Sequence, residues 1–255
     1  MKSVKIFGER NTSTNALYKV IEQNSKSRVA PSTIDEVSPN LYSLIRYGSR
    51  IKMPHQVREM IIDYAFSKTT AIDSWKHTTT NFKNVDDLQD VHVIFCVRHP
   101  ASWMLGLYRK PYHIYEKNYN DLYSFLATRW KTVGRERLHN AITSATEIYN
   151  LKLESYSTLK KILSENKISY SVVRHEDFAV NQLEVFQKIA PYLDQPTEKF
   201  HPLEVSTKDK SKDSEYYKEY YGEKLWVKDI DKNSLDKINN EIDWHQLSSY
   251  EYYPI

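Results

Sequence analysis

The stretch "VKIFGERNTSTNALYKVIE" (residues 4–22) decides how the chain is read. Val4, Ile6 and Phe7 make a short apolar run that predicts a buried strand, and Gly8 ends it. Beyond it, from Thr14 to Ile21, Leu17, Val20 and Ile21 share one face at helical spacing. Strand, tight turn and helix is the setting of a phosphate-binding loop, because a helix N-terminus offers free N–H groups and the positive end of a dipole. The G-x-x-x-x-G-K-[ST] pattern laid from Gly8 breaks down, however. Ser13 falls at the second glycine, Thr14 at the lysine and Asn15 at the magnesium-binding hydroxyl. A nucleoside triphosphatase needs that metal to bridge its phosphates. The loop therefore predicts an anion site that works without one. Arg10, with the hydroxyls of Thr12, Ser13 and Thr14, is the donor set; the plainer alternative is a cluster that only caps the helix.

A chain of 255 residues is long enough for one large core, and nothing in it marks a second domain, so residues 1–255 are read as a single unit. Hydrophobic content of 40% and charged content of 27% are ordinary for a globular protein. A net charge of +3 suits a small anion but is too weak to argue for nucleic acid. The single cysteine, Cys96, excludes an internal disulfide. No apolar run approaches the roughly 18 residues of a membrane span. The N-terminus runs straight into the first strand, leaving no room for a signal peptide. The expectation is a cytoplasmic protein.

Strand candidates alternate with longer helical patterns. "VHVIFCVR" (91–98) is a nearly continuous apolar run, the mark of a strand buried on both faces of a parallel sheet. "ISYSVVR" (168–174) is a second strand and "TAIDSWKH" (70–77) a weaker third. Residues 55–66, 101–109, 122–130, 141–163, 181–193 and 233–247 read as helices. The alternation predicts an α/β fold with a central parallel sheet flanked by helices. Residues 206–224, charged and almost free of aliphatics, are expected to form a mobile solvated loop. Just past the second apolar run, Arg98 and His99 stand at a strand end, with Pro100 placed to open a helix. Arg98 would share the sheet edge with the Arg10 loop, which suits a ligand with two anionic ends.

Four segments, in order, carry a resemblance to the sulfotransferases that use 3′-phosphoadenosine-5′-phosphosulfate (PAPS). "GERNTSTNAL" (8–17) resembles the family's 5′-phosphosulfate loop, and "VRHPASWMLGLYR" (97–109) its 3′-phosphate segment. "SYSVVRHEDF" (169–178) resembles the later strand end with R-x-E-D, and "WVKDIDKNSLDKINNEIDWHQLSSYEY" (226–252) the closing helix of bacterial members. The resemblance implies a P-loop-like α/β fold, PAPS as co-substrate, a hydroxyl-bearing acceptor and no metal. It places the donor on Arg10, Asn11, Thr12, Ser13, Thr14 and Asn15, with Arg98 and Ser102 on the 3′-phosphate. His77, 21 residues before Arg98, would be the general base, with Glu9 as substitute. Arg10 and Lys76 would stabilise charge on the transferring group, and Lys208, Lys210 and Lys212 would close on the 3′-phosphate. The chain departs from the pattern at Asn11, where most relatives carry lysine, at Ser13, a glycine in the pattern, and at Gly106, often a serine. A nucleotide kinase and a non-catalytic nucleotide-binding protein are the competing readings.

Two side features remain. His92, Cys96 and His99 do not make a metal set, because no matching cluster lies elsewhere. Tyrosines 108, 112, 115, 119 and 123 follow helical spacing broken by Pro111, and are read as a packing face or an acceptor wall.

Overall fold

The computed structural model describes residues 2–112, 114, 119–139, 141–205 and 211–255. Its centre is a four-stranded, all-parallel sheet in the order β2-β1-β3-β6. The strands are β1 (Ser3–Gly8), β2 (Arg28–Val29), β3 (Val91–Val97) and β6 (Tyr170–Arg174). A separate antiparallel pair joins β4 (Trp130–Lys131) to β5 (Ile142–Thr143). Every residue of β3 is buried, because helices cover both faces. Alternation then sorts its side chains. Val93, Phe95 and Val97 join one core with Phe7, Trp103 and Tyr156, while Ile94 and Cys96 join another with Val4, Ile6, Leu17 and Ile21. Each such side chain contributes about 1.5–3 kcal/mol by leaving water.

Helices α1 (Thr14–Asn24), α5 (Pro100–Arg109) and α8 (His175–Val180) start just past β1, β3 and β6. Their N-termini thus gather at one edge of the sheet. The chain leaves β1 towards β2 on one side and pairs with β3 on the other, so a crevice opens at the C-terminal ends of β1 and β3. Between β2 and β3 come α2 (Ile34–Val37), α3 (Pro39–Arg50) and α4 (His55–Ser67). The later helices are α6 (Leu122–Ala127), α7 (Ala145–Glu165), α9 (Gln182–Ile189), α10 (Ser214–Gly222), α11 (Lys232–Glu241) and α12 (Trp244–Leu247). No helix among the described residues is long and apolar enough to cross a membrane.

The expected strand over 70–77 does not form. The segment is a run of turns, with Ser74 N–H donating to Ala71 O and Thr78 N–H to Trp75 O. The carboxylate of Asp87 takes the N–H of Ile72, and Lys5, buried in β1, reaches out to the carbonyls of Ser74 and Pro31. The backbone groups a ladder would need are thus already engaged. The segment still meets the sheet edge, because Gly8 N–H donates to Lys76 O at 3.0 Å. The sheet ends instead at the two-residue β2, paired parallel to β1. Helix 141–163 begins only at Ala145, where Ser144 and Glu147 form a capping box. The stretch 233–247 is two helices broken at Ile242 and Asp243. The stretch 206–224 also differs from a solvated loop. Residues 206–210, which include Lys208, lie outside the described residues, but Ser214–Gly222 is helix α10, packed on α8.

Candidate functional site

Gly8 is fixed by close approach at the end of β1. A Cβ there would lie 2.7 Å from both Cys96 Cβ and Thr12 Oγ1. The following loop turns through two left-handed residues, Asn11 (φ 63°) and Ser13 (φ 64°). Ser13 therefore keeps the conformation for which glycine is favoured, without a glycine. Thr12 Oγ1 donates to Glu9 O and is buried, so it closes the loop from behind. Ser13 Oγ meets His175 Nδ1 at 2.6 Å, which ties the loop to the start of α8.

A cavity of about 780 Å³ opens over this loop, lined by residues of α1, α4, α5, α8 and α10 and by Trp75, Lys76 and His77. Among the described residues eight lysines and arginines line it against one carboxylate, Glu204. The mild net charge of the chain is thus concentrated where an anion would bind. Three of these cations are already held by carboxylates. Arg109 bonds Asp229 at 2.8 Å, and Arg135 bonds Glu59 at 2.5 Å and Asp63 at 2.7 Å. Arg10 is the third.

Arg10 lines the cavity but is already paired. Its guanidinium pairs with Glu9 Oε1 at 3.0 Å and Glu136 Oε1 at 2.8 Å and lies against Trp75. Lys152 joins the cluster, 3.2 Å from Glu9 Oε2, and also donates to His77 O. Two buried acids and two buried bases balance one another in a network that reaches the cavity through Arg10. Glu9 is engaged at both oxygens and does not line the cavity, which removes it as an alternative base.

Arg98 behaves differently. It is buried, lines the cavity, and makes three hydrogen bonds, all to neutral acceptors: Ser102 Oγ at 2.8 Å, Asn11 O at 2.8 Å and Tyr221 Oη at 3.0 Å. Among the described residues no carboxylate bonds it directly, and Glu176 acts on it only through its field. Such a charge is costly to bury unless an anion joins it. Gly106 leaves the space it occupies, since a Cβ there would sit 3.1 Å from Nη1. Ser102 is brought to Arg98 as expected, but it is fully buried and orients the guanidinium without reaching the cavity.

His77 stands on the cavity wall with Nδ1 2.5 Å from Gly8 O. A carbonyl only accepts, so Nδ1 carries the proton and Nε2 keeps its lone pair. Burial, then the charges of Lys76 and Arg10, hold this imidazole well below its ordinary pKa. It is neutral at pH 7. Beside it, Lys76 Nζ bonds Asn15 Oδ1 at 2.6 Å, and both line the cavity with Thr14.

Sequence reasoning missed His175, Tyr221, Glu136 and Lys152. Tyr221 had a readable signal: tyrosines 216, 217, 220 and 221 repeat at helical spacing inside the charged stretch. Glu136 and Lys152 had none, because their pairing spans long separations. Of the tyrosine run, Tyr112 reaches the cavity, Tyr108 and Tyr119 pack together, and Tyr115 lies outside the described residues. Lys212 lines the cavity, and Lys208 and Lys210 fall outside the description. His92 bonds Ser169 and Ser171, and His99 bonds Tyr253 O, so neither joins Cys96 in a metal set. Glu176 takes the N–H of His99 at 3.0 Å and the hydroxyl of Tyr252, which steadies the turn that carries Arg98.

No known family model and no curated protein matches this chain.

Proposed function

We propose that this protein is a metal-independent sulfotransferase that uses PAPS as donor and a hydroxyl-bearing acceptor. The observation that carries the reading is Arg98: a buried, cavity-facing guanidinium whose hydrogen bonds among the described residues go to neutral acceptors, set at the crevice between β1 and β3 beside a helix N-terminus. Two anion-attracting sites at one edge suit a nucleotide with phosphate groups at both ends. A volume of about 780 Å³ accommodates such a ligand.

When bound, the donor supplies an activated sulfuryl group. The loop over residues 11–15 holds its 5′ end with backbone N–H groups, and Arg98 holds the 3′-phosphate. Lys76, carried to the loop mouth by its bond to Asn15, offsets negative charge there in the role expected of Arg10. His77 Nε2 takes the acceptor's hydroxyl proton, and Gly8 O fixes the tautomer that allows it. Phe66, Ile62 and Trp75 form an apolar wall on the α4 side of the cavity, with Trp75 5.1 Å from the His77 ring. That wall suits an acceptor with an apolar ring or chain and keeps water from competing.

Calorimetry with 3′-phosphoadenosine 5′-phosphate, ADP and magnesium-ATP side by side tests the reading. The bisphosphate binds at least about tenfold more tightly, because one charge-assisted contact contributes on the order of 1.5–3 kcal/mol. Equal affinities, or a strict need for magnesium, reject it.

A further inference from the structure

Seven of the nineteen exposed large hydrophobics among the described residues fall between 42 and 64, on the α3–α4 hairpin. Leu44, Tyr47 and Ile51 follow i, i+3, i+7 spacing along α3 and its C-terminal cap, and Val57, Met60 and Tyr64 do the same along α4. Both are therefore continuous stripes. The core needs neither, because α3 buries Ile45 and α4 buries Ile62 and Phe66. On α4, Met60 is 69% exposed while Ile62, on the opposite face, is 9% exposed. A helix pair that is apolar on its inner and outer sides has an unmet partner.

Charge identifies the partner. Residues 39–68 contain five basic side chains, Arg46, Arg50, Lys52, Arg58 and Lys68, and two acidic ones, Glu59 and Asp63. Both acids are bonded to Arg135, on the protein side of α4. Within residues 39–68 the outward charge is all positive, and exposed Asp35 and Glu36 belong to the neighbouring α2. A second copy of this chain would set these cations against their own equivalents, which opposes self-association. Apolar and tyrosine side chains ringed by Arg and Lys match an anionic lipid surface, where apolar groups enter the headgroup layer and cations meet phosphate. We infer that the α3–α4 hairpin docks the protein on an anionic membrane surface. Because α4 also carries Arg58, Ile62 and Phe66 on the cavity wall, docking sets the cavity beside the lipid headgroups. This inference stands apart from the chemistry proposed for the cavity.

Sedimentation of the full chain with phosphatidylcholine vesicles, with and without phosphatidylglycerol, tests it. Binding is expected only with phosphatidylglycerol present, and it falls as salt rises. Met60→Ser with Ile51→Ser lowers partitioning roughly tenfold or more. Arg46→Gln and Arg50→Gln each lower it about fivefold. All four positions are exposed, and unchanged melting of each variant excludes misfolding as the cause. Failure to bind either vesicle, equal binding to both, or binding indifferent to the substitutions overturns the inference. So does a dimer in sedimentation velocity that Met60→Ser dissociates, since a second copy would then be the occupant.

Discussion

Arg98 and Tyr221, 123 residues apart in sequence, meet in the buried wall of the cavity, where Nη2 donates to the phenolic oxygen at 3.0 Å and the guanidinium lies over the ring. The contact joins the end of β3 to helix α10, so the element that covers the site is tied to the charge that would bind the ligand. Tyr221 is itself wedged against His175, whose ring stands edge-on 4.5 Å away. His175 in turn holds Ser13 of the loop. One chain of contacts thus links cover, cation and loop.

Arg98→Met is expected to abolish discrimination between a 3′,5′-bisphosphate and ADP, with the bisphosphate losing at least about tenfold in affinity and ADP changing little. Tyr221→Phe keeps the ring and removes one acceptor, so it keeps the discrimination. Titration of both nucleotides into both variants checks this. Parallel losses for the two nucleotides in Arg98→Met would mean that the residue only supports the fold.

Arg10→Met is expected to cost stability and to spare nucleotide binding, the reverse of what the sequence suggests. The substitution leaves Glu9 and Glu136 buried with Lys152 alone, and breaking a buried pair from one side costs about 3–5 kcal/mol. Adding Glu136→Gln removes one stranded charge and recovers part of the loss. Urea denaturation of the single and double variants, with bisphosphate titration of whatever remains folded, measures both effects.

The contrast between the two arginines marks how far the sequence could be read. Strands β1 and β3 were legible because their apolar runs are local, and the place of Arg98 followed from them. Glycine and proline at 8 and 100 fixed where the next helices begin. The partner of a buried charge is a different matter. Glu136 meets Arg10, and Lys152 meets Glu9 and Glu136, only because β1, the turn after β4 and α7 converge, and no local pattern encodes that. Residues 70–77 were misread for a related reason. Their apolar content is that of a strand, yet Lys5 and Asp87, distant in sequence, claim the backbone groups. His77 reached the site all the same, because the bond from Gly8 N–H to Lys76 O fixes the turn without a ladder.

Acid should destabilise the fold through its buried histidines. Burial pulls His92 and His99 down to about 4. In the unfolded chain both titrate near 6.5, so between about pH 6.5 and 4 the unfolded state binds protons that the folded state refuses. Stability then rises with pH across that window and is flat above it as far as these groups are concerned. Each contributes a loss on the order of 3 kcal/mol by pH 4. Urea unfolding at intervals from pH 7.5 to 4.5 should give a positive slope that is shallower in His99→Phe. An unchanged slope in that variant would show that His99 is protonated in the folded protein as readily as in water.

The proposed mechanism turns on His77. His77→Ala should bind the bisphosphate nearly as the parent does and lose turnover by roughly 10²–10⁴-fold, since the proton it accepts matters only in the transition state. His77→Gln separates two roles. Its amide can donate to Gly8 O and hold the turn, but it cannot act as a base, so it should be as inactive as alanine while melting like the parent. Because burial, Lys76 and Arg10 all disfavour the imidazolium, the acid limb of the parent's rate should fall below pH 6.5, the ordinary histidine value. Lys76→Met removes one of those charges and should move the limb upward. A screen of hydroxyl acceptors with PAPS supplies the assay. An active His77→Gln, or an acid limb indifferent to Lys76, would assign the base to another group.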